Sequence, residues 1–210
     1  MLQCGNMRSS ISPGNEGPVM NAVNARLPAV SGSFYPRDPI ELRRDIERFL
    51  SVAKFSGKKD SWPKAIIAPH AGYVYSGPIA AAAYATLKPA LGTVRRVVLL
   101  GPSHRVGFRG LAVPTSNAFR TPLGDINLDR DSIARISSLP GVLELDQAHA
   151  QEHSLEVHLP FLQVVLGDFE LVPIVVGDAT PQSVADVLSA LWGGPETLIV
   201  ISSDLSHYHD

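Results

Sequence analysis

The amino-acid sequence predicts an α/β fold, in which a mostly parallel β-sheet is layered with helices on both faces. Four short runs are apolar at nearly every position rather than at alternate positions, which is typical of parallel strands buried on both faces. Helix-like segments alternate with these runs along the chain, as they do in α/β proteins. The predicted strands cover residues 65–68, 97–100, 171–176 and 197–201.

Capping residues, apolar spacing and alanine content predict the helices. Asp38 precedes Pro39, which matches an N-cap residue followed by proline at the first helical position. Thr180 is the predicted N-cap of another helix. The predicted helices are a segment starting at Pro39, an alanine-rich segment over 79–87 that starts at Ser76-Gly77-Pro78, part of 126–139 after a short strand end, 154–165 and 181–191.

The length and the local composition of the chain predict one folded domain. At 210 residues the chain is long enough for one sizeable core and short for two full domains. Residues 1–25 are rich in Ser, Asn, Gly and Pro and have no hydrophobic period, so they are predicted to be a disordered tail. The domain then covers 26–210. Inside it, 105–127 reads as irregular, with a hairpin around 111–113.

The composition argues against several classes of protein. Lysine plus arginine is 18 and aspartate plus glutamate is 20, with no basic cluster, so neither a nucleic acid nor an anionic membrane is an expected partner. Cys4 is the single cysteine, which excludes an internal disulfide and a Cys-based zinc motif. No apolar run approaches about 20 residues, and the first twenty residues contain no apolar signal core. We therefore expect a soluble, cytoplasmic protein.

Three of the predicted strands end within a few residues of a histidine. These histidines are His70, His104 and His207. The carboxyl ends of parallel strands lie along one edge of a sheet, where α/β proteins form ligand sites. Neutral imidazole is the commonest protein ligand for zinc, copper and non-haem iron. The spacing therefore predicts a shared metal or catalytic site, although a histidine after a strand also occurs as an ordinary loop or core residue.

Asp204 lies three residues before His207 and has two interpretations. On a helical turn the two side chains would share a face, and the carboxylate would fix the histidine tautomer or complete a two-His, one-carboxylate iron site. Alternatively, Asp204 caps the following helix through its backbone N–H groups.

Residues 149–153 (HAQEH) fit the H-x-x-E-H pattern of a zinc peptidase, with His149 and His153 as ligands and Glu152 as base. Pro160 interrupts soon afterwards, so a polar loop that leads into a short helix is the alternative. In that case Glu152, His153 and Glu156 would line the pocket.

The loop over 71–77 follows a strand and opens a helix, so its free N–H groups suit an anionic substrate group. Tyr73 would line the pocket there by stacking on a ring or a peptide. Packing of Tyr73 against the edge of the sheet is the alternative.

Five segments resemble the Memo family, whose bacterial and archaeal members are known as AmmeMemoRadiSam system protein B. The resemblance runs from about residue 26 to the end, with the segments in the family's order. The segments are 31–36 (SGSFYP), 68–73 (APHAGY), 101–104 (GPSH), 152–160 (EHSLEVHLP) and 202–208 (SSDLSHY).

This resemblance implies a fold shared with the class III extradiol dioxygenases, which use non-haem iron(II). It implies that His70 and His104 are metal ligands and that His207 and Asp204 are the catalytic or pocket residues. The third ligand, a cysteine in Memo proteins and a glutamate in the dioxygenases, would lie beyond position 210, and Cys4 does not match it. We therefore expect a chain that is truncated at its C-terminus.

Three functions follow as hypotheses. The first is a pocket that holds iron(II) or copper at the carboxyl edge of the sheet, with a redox or dioxygenase-like activity. The second is a non-catalytic signalling module that binds a peptide or an anionic group in the same pocket. The third is a zinc peptidase that uses His149 and His153. The expected partner is a small-molecule or peptide ligand, and the sequence leaves the oligomeric state open.

Overall fold

The computed structural model describes Met1 and residues 24–54 and 60–205. Most of the predicted tail, including Cys4, lies outside the described residues, and so does the predicted catalytic residue His207. The described residues form nine strands and six α-helices, together with two short 3₁₀ turns at Lys88–Ala90 and Glu156–His158.

The strands in chain order are β1 (Ala25–Arg26), β2 (Ala65–Ala68), β3 (Arg96–Pro102), β4 (Leu111–Val113), β5 (Ala118–Thr121), β6 (Gly124–Asn127), β7 (Val142–Glu144), β8 (Glu170–Val176) and β9 (Thr197–Ser202). The helices are α1 (Pro39–Val52), α2 (Tyr73–Ala85), α3 (Arg130–Ser137), α4 (Asp146–Ala150), α5 (Leu159–Leu166) and α6 (Pro181–Leu191).

The main sheet has six strands in the order β2-β9-β3-β8-β4-β7. The four strands predicted from the sequence are adjacent and parallel, with β9 between β2 and β3 and with β8 on the far side of β3. The side chains of β3 and β8 are buried along most of each strand, because helices flank the sheet. The predicted α/β class with a mostly parallel sheet is therefore confirmed.

A second, three-stranded sheet has the order β1-β5-β6. Here β1 pairs in parallel with β5, and β5 and β6 form an antiparallel hairpin. The hairpin predicted around 111–113 is wrong, because those residues form β4, which pairs with β8 and β7 in the main sheet. A run of three apolar residues is too short to distinguish a hairpin from a strand of the main sheet.

Most predicted helices are present, but two begin at other residues. The helix predicted over 154–165 is α5, which begins at Leu159 after the 3₁₀ turn at Glu156–His158. Asp38 caps α1 by accepting hydrogen bonds from the backbone N–H groups of Ile40 and Glu41, both at 2.9 Å. The predicted start of α2 at Ser76-Gly77-Pro78 is wrong, because the helix begins at Tyr73 and contains Pro78. The backbone N–H of Ser76 instead bonds to the carbonyl of Gly72 at 3.0 Å, so Ser76 lies inside the first turns and does not cap the helix.

Two groups of helices cover the main sheet. Helices α1, α2 and α5 pack against one another, and α3 packs against α6 and β8. Within the described part of the chain, no helix combines the length and the apolar character that crossing a bilayer requires.

Gly101 lets the carboxyl end of β3 pack closely against the segment that follows α4. A Cβ at this position would lie 2.8 Å from both Leu155 Cδ2 and Ser154 Oγ. Both neighbours are buried, and Ser154 Oγ donates a hydrogen bond to the carbonyl of Pro102 at 2.8 Å. A side chain on Gly101 would therefore push the 154–155 segment away from the strand.

We expect Gly101→Ala to lower the free energy of unfolding by about 1–3 kcal/mol, the usual cost of overpacking a buried position. Urea denaturation measures the change. Gly107→Ala is the matched control, because a Cβ there has open space, and its effect should stay within about 0.5 kcal/mol. An equal effect of both substitutions would contradict close packing at Gly101.

Candidate metal centre

Three neighbouring strands of the main sheet deliver polar side chains to one edge. His70 follows β2, His104 follows β3, and β9 lies between them and ends at Ser202, two residues before Asp204. Because the three strands are parallel, their carboxyl ends lie together, as the sequence predicted. Asp204 accepts a hydrogen bond through Oδ1 from the backbone N–H of His70 at 2.7 Å, which joins the segments after β9 and β2.

His70, His104 and His153 form a cluster of three imidazoles. Each offers one ring nitrogen, and these nitrogens lie within 4.8 Å of one another. The ring centroids of His104 and His153 are 4.6 Å apart in a stacked arrangement, and that of His70 lies 5.1 Å from His104 and 5.7 Å from His153. His70 is buried and His104 is exposed, so the cluster is open towards solvent on the His104 side.

Hydrogen bonding determines which ring nitrogen His70 can offer to a ligand. Its Nδ1 lies 2.7 Å from Ser202 Oγ, and the Ser202 hydroxyl donates to the carbonyl of Ser154 at 2.6 Å. Since the hydroxyl proton is used in that bond, His70 Nδ1–H must donate to Ser202 Oγ. The lone pair of His70 is therefore on Nε2, which lies 3.7 Å from Asp204 Oδ2.

The carboxylate of Glu152 orients His104 in the same way. Oε1 lies 2.9 Å from His104 Nδ1, and Oε2 accepts from the backbone N–H of His104 at 2.6 Å. Oε1 also accepts from the backbone N–H groups of His153 and Ser154, each at 2.9 Å. A carboxylate can only accept, so His104 Nδ1 carries the proton and Nε2 carries the lone pair.

The acid–base properties of the cluster suit neutral imidazoles beside one carboxylate. Burial raises the pKa of Glu152, but the hydrogen bonds from His104 and Ser154 outweigh burial and hold the pKa below its usual value. Burial lowers the pKa of His70 against the opposing charge of Asp204. Burial likewise lowers the pKa of His153, against the charge of Glu152. Both histidines are therefore neutral near pH 7, which is the form that binds metal.

His153 joins His70 and His104, whereas the sequence predicted it either as a residue that lines the pocket or as a zinc ligand paired with His149. Its Nδ1 is buried and has no hydrogen-bond partner within the described segments, and its ring packs 4.8 Å from that of Phe34. No strand end precedes His153, so the strand-end pattern that predicts His70 and His104 does not extend to it. The sequence feature that could have pointed to His153 is its place beside Glu152 in the H-x-x-E-H pattern.

The H-x-x-E-H interpretation is wrong on structural grounds. Helix α4 ends at Ala150, so His149 and His153 do not share a helix face. His149 is buried, and its Nε2 lies 3.1 Å from the carbonyl of Ala112. Glu152 orients His104 instead of serving as a base between two zinc ligands on one helix.

The remaining predicted pocket residues are buried near the cluster but contact other groups. The Tyr73 hydroxyl donates to the carbonyl of Val157 at 2.8 Å, and its ring packs 5.0 Å from that of Phe161. Glu156 is fully buried and forms an ion pair with Arg26. Both side chains thus support the polypeptide around the cluster. Their prediction as residues that line a ligand pocket stays a prediction.

The three histidines are compatible with a bound metal ion. Two imidazole nitrogens bound to one ion at about 2.1 Å with tetrahedral angles would be about 3.4 Å apart. Separations that reach up to 4.8 Å would therefore have to shorten by up to about 1.4 Å. The hydrogen bonds already direct the lone pairs of His70 and His104 to Nε2. The buried Nδ1 of His153 has no hydrogen-bond partner among the described residues, and Glu152 Oε1 lies 3.5 Å from it. This arrangement could hold a metal ion and leave positions open for another ligand.

Comparison with known proteins gives concordant matches. Residues 26–210 match the family model described as Memo-like protein. The chain is 40% identical over 200 residues to a MEMO1 family protein of Methanopyrus kandleri, which covers 88% of this chain and 70% of that protein. It is 35% identical over 210 residues to one of Sulfolobus acidocaldarius (88% and 71%), and 38% identical over 190 residues to one of Aquifex aeolicus (89% and 68%).

We expect Glu152→Gln to lower the free energy of unfolding by about 2–4 kcal/mol. The amide would turn a donor towards the backbone N–H of His104 and leave buried donors unpaired, each at about 1–3 kcal/mol. Urea denaturation at pH 7 measures the loss. Glu144→Gln, at a half-exposed side chain on β7, should change stability by less than about 0.5 kcal/mol. Stability equal to wild type in the Glu152 variant would contradict the hydrogen bonds described.

His149 should make the fold sensitive to acid. Burial lowers its pKa to about 4, whereas an unfolded chain has a histidine pKa near 6.5. Between these values the unfolded chain binds a proton that the folded chain does not, so stability is complete above about pH 6.5 and falls as the pH approaches 4.

Glutamine at this position keeps a donor for the Ala112 carbonyl but does not titrate. Between pH 6.5 and 4 we therefore expect His149→Gln to lose about 3 kcal/mol less free energy of unfolding than wild type. Unfolding free energies across that range, for wild type and variant, measure the difference. Parallel pH profiles for the two proteins would show that His149 does not titrate in this way.

Proposed function

The chain belongs to the Memo family, and from that premise we propose that it is a redox-metal protein whose ion is held by His70, His104 and His153. The observation that carries the proposal is the convergence of three imidazoles at the carboxyl edge of the sheet, within 4.8 Å of one another. Clusters of convergent histidines with accessible sides are typical of transition-metal sites.

The proposed metal is iron(II) or copper. Imidazole nitrogen suits iron, copper and zinc, so the donor set alone selects a group of metals. The relation of Memo proteins to iron-dependent ring-cleaving dioxygenases, implied by the sequence motifs, favours a redox metal over zinc. When bound, such an ion would supply electron transfer and would activate a ligand at its open positions.

The residues of this chain would prepare the site. Ser202 and Glu152 hold His70 and His104 in the tautomer that offers Nε2, which removes the cost of turning the rings when the ion binds. Asp204, with Oδ2 3.7 Å from His70 Nε2, is the proposed carboxylate beside the reacting ligand. His207 is the proposed acid–base residue, as the family resemblance implies.

We expect the protein to bind about one transition-metal ion per chain, and His70→Ala/His104→Ala to abolish this binding. His153→Ala should weaken it by more than the roughly 10–100-fold that loss of a supporting residue costs. Metal analysis of purified protein and titration of apo protein with iron(II), copper and zinc measure the effects.

His149→Gln is the matched control for those variants, because His149 is a buried histidine outside the cluster, and it should bind metal like wild type. Equal metal content in wild type and in the His70/His104 double variant would refute the proposed site.

Two assays on the same protein distinguish catalysis at the ion from simple ligand binding. Oxygen consumption by the iron(II) protein with catechol-type substrates is expected from a dioxygenase-like activity. Saturable binding of a peptide or an anion without oxygen consumption would favour the signalling module instead. The same assays on the double variant serve as the blank.

A further inference from the structure

Arg26 is a buried cation outside the histidine cluster that contacts the polypeptide carrying Glu152 and His153. It lies on the short strand β1, and 8% of its surface is exposed. Its guanidinium reaches residues about 125 positions later in the chain. Burial of an arginine is costly unless its charge is paired and its donors are satisfied, so its contacts require a reason.

The guanidinium binds two backbone carbonyls on either side of the turn that leads to His153. Nε donates to the carbonyl of His149 at 3.0 Å, and Nη2 donates to the carbonyl of Glu152 at 2.6 Å. The planar group therefore fixes the distance between the end of α4 and the residue whose carboxylate orients His104. A point charge such as a lysine ammonium could not span both carbonyls in this way.

Glu156 holds the guanidinium from the other side. Its carboxylate forms an ion pair with Arg26 Nη1. It also accepts hydrogen bonds from the backbone N–H groups of Ala29 and Val30, at 2.7 and 3.0 Å, and from the Tyr35 hydroxyl at 2.6 Å. Burial and the Glu156 carboxylate raise the pKa of Tyr35, so its hydroxyl stays protonated and donates.

Residues 151–155 have no regular helix or strand of their own, since α4 ends at Ala150 and the next 3₁₀ turn starts at Glu156. Their position therefore depends on contacts from elsewhere. Glu152 ties this segment to His104 through its side chain, and Arg26 ties it to β1 through its carbonyl. The two contacts restrain the same residue, one at its backbone carbonyl and one at its side chain.

We propose that Arg26 is a positioning residue for the metal centre, acting through the backbone of residues 149–152 to hold Glu152 and His153 against His104. This inference rests on the proposed function, because it concerns the affinity and the geometry of the ion at that site. It adds a residue outside the histidine cluster, on the three-stranded sheet, whereas His70 and His104 follow strands of the main sheet.

The test compares two conservative arginine substitutions. Arg26→Lys keeps the charge for Glu156 but loses the fork that spans the two carbonyls. Arg96→Lys is the matched control, because Arg96 also pairs with a buried carboxylate, that of Asp129, and contacts Thr197, and these residues do not belong to the histidine cluster. Apo protein is titrated with cobalt(II), whose visible absorption spectrum reports coordination geometry, and the dissociation constant is obtained by competition.

We expect Arg26→Lys to weaken cobalt(II) binding about 10–100-fold, as loss of a residue that supports a metal ligand does, and to change the absorption spectrum of the bound ion. Arg96→Lys should keep the affinity and the spectrum of wild type, whatever its effect on stability. A folded Arg26→Lys protein with wild-type affinity and spectrum would overturn the inference.

Tyr35→Phe serves as a milder second variant if Arg26→Lys does not fold. It removes one of the hydrogen bonds that hold Glu156, and should weaken cobalt(II) binding about twofold to threefold, the lower end of what one hydrogen bond contributes. No loss of affinity would overturn the inference. Absence of metal binding by wild type would instead refute the proposed function, so the two failures are distinguishable.

Discussion

The buried carboxylate of Glu152 connects the parts on which the rest of the site depends. It accepts hydrogen bonds from the backbone and the ring of His104 and from the backbone of His153 and Ser154. One side chain thus joins the end of β3 to an irregular segment that comes about fifty residues later. Because these bonds use its acceptor capacity on both oxygens, Glu152 stays charged although it is 1% exposed. A buried charge is tolerated only when it is satisfied in this way.

The sequence predicted the parts of the fold that depend on local pattern. Four apolar runs became adjacent parallel strands, and the rule that parallel strands share a carboxyl edge placed His70 and His104 together. The three-stranded sheet was not predicted, because β1 has two residues and finds its partner on β5, far along the chain. Pairing over such a separation leaves no periodic signal in either segment.

Only part of the site was predicted, because the rest also depends on contacts between segments far apart in the chain. His153 follows a short helix and a turn, so no strand rule leads to it, and its place beside His104 depends on the contacts of Glu152 and Arg26. The H-x-x-E-H pattern pointed to Glu152 and His153, which both lie at the histidine cluster, but it implied the wrong geometry for them. A five-residue pattern specifies spacing along the chain, whereas the helix that it requires ends before the second histidine.

The position of β9 in the main sheet affects how the chain folds. Strands β2 and β3 are neighbours in sequence among the strands of this sheet, yet β9 separates them, so they lie about 10 Å apart and do not pair with each other. β3 ends at Pro102 and β9 begins at Thr197. During synthesis the ribosome therefore releases both flanking strands long before the strand that fills the slot between them. We therefore expect β2 and β3 to lack the strand between them until β9 has been made. Non-local pairing of this kind generally slows folding and exposes strand edges to wrong partners.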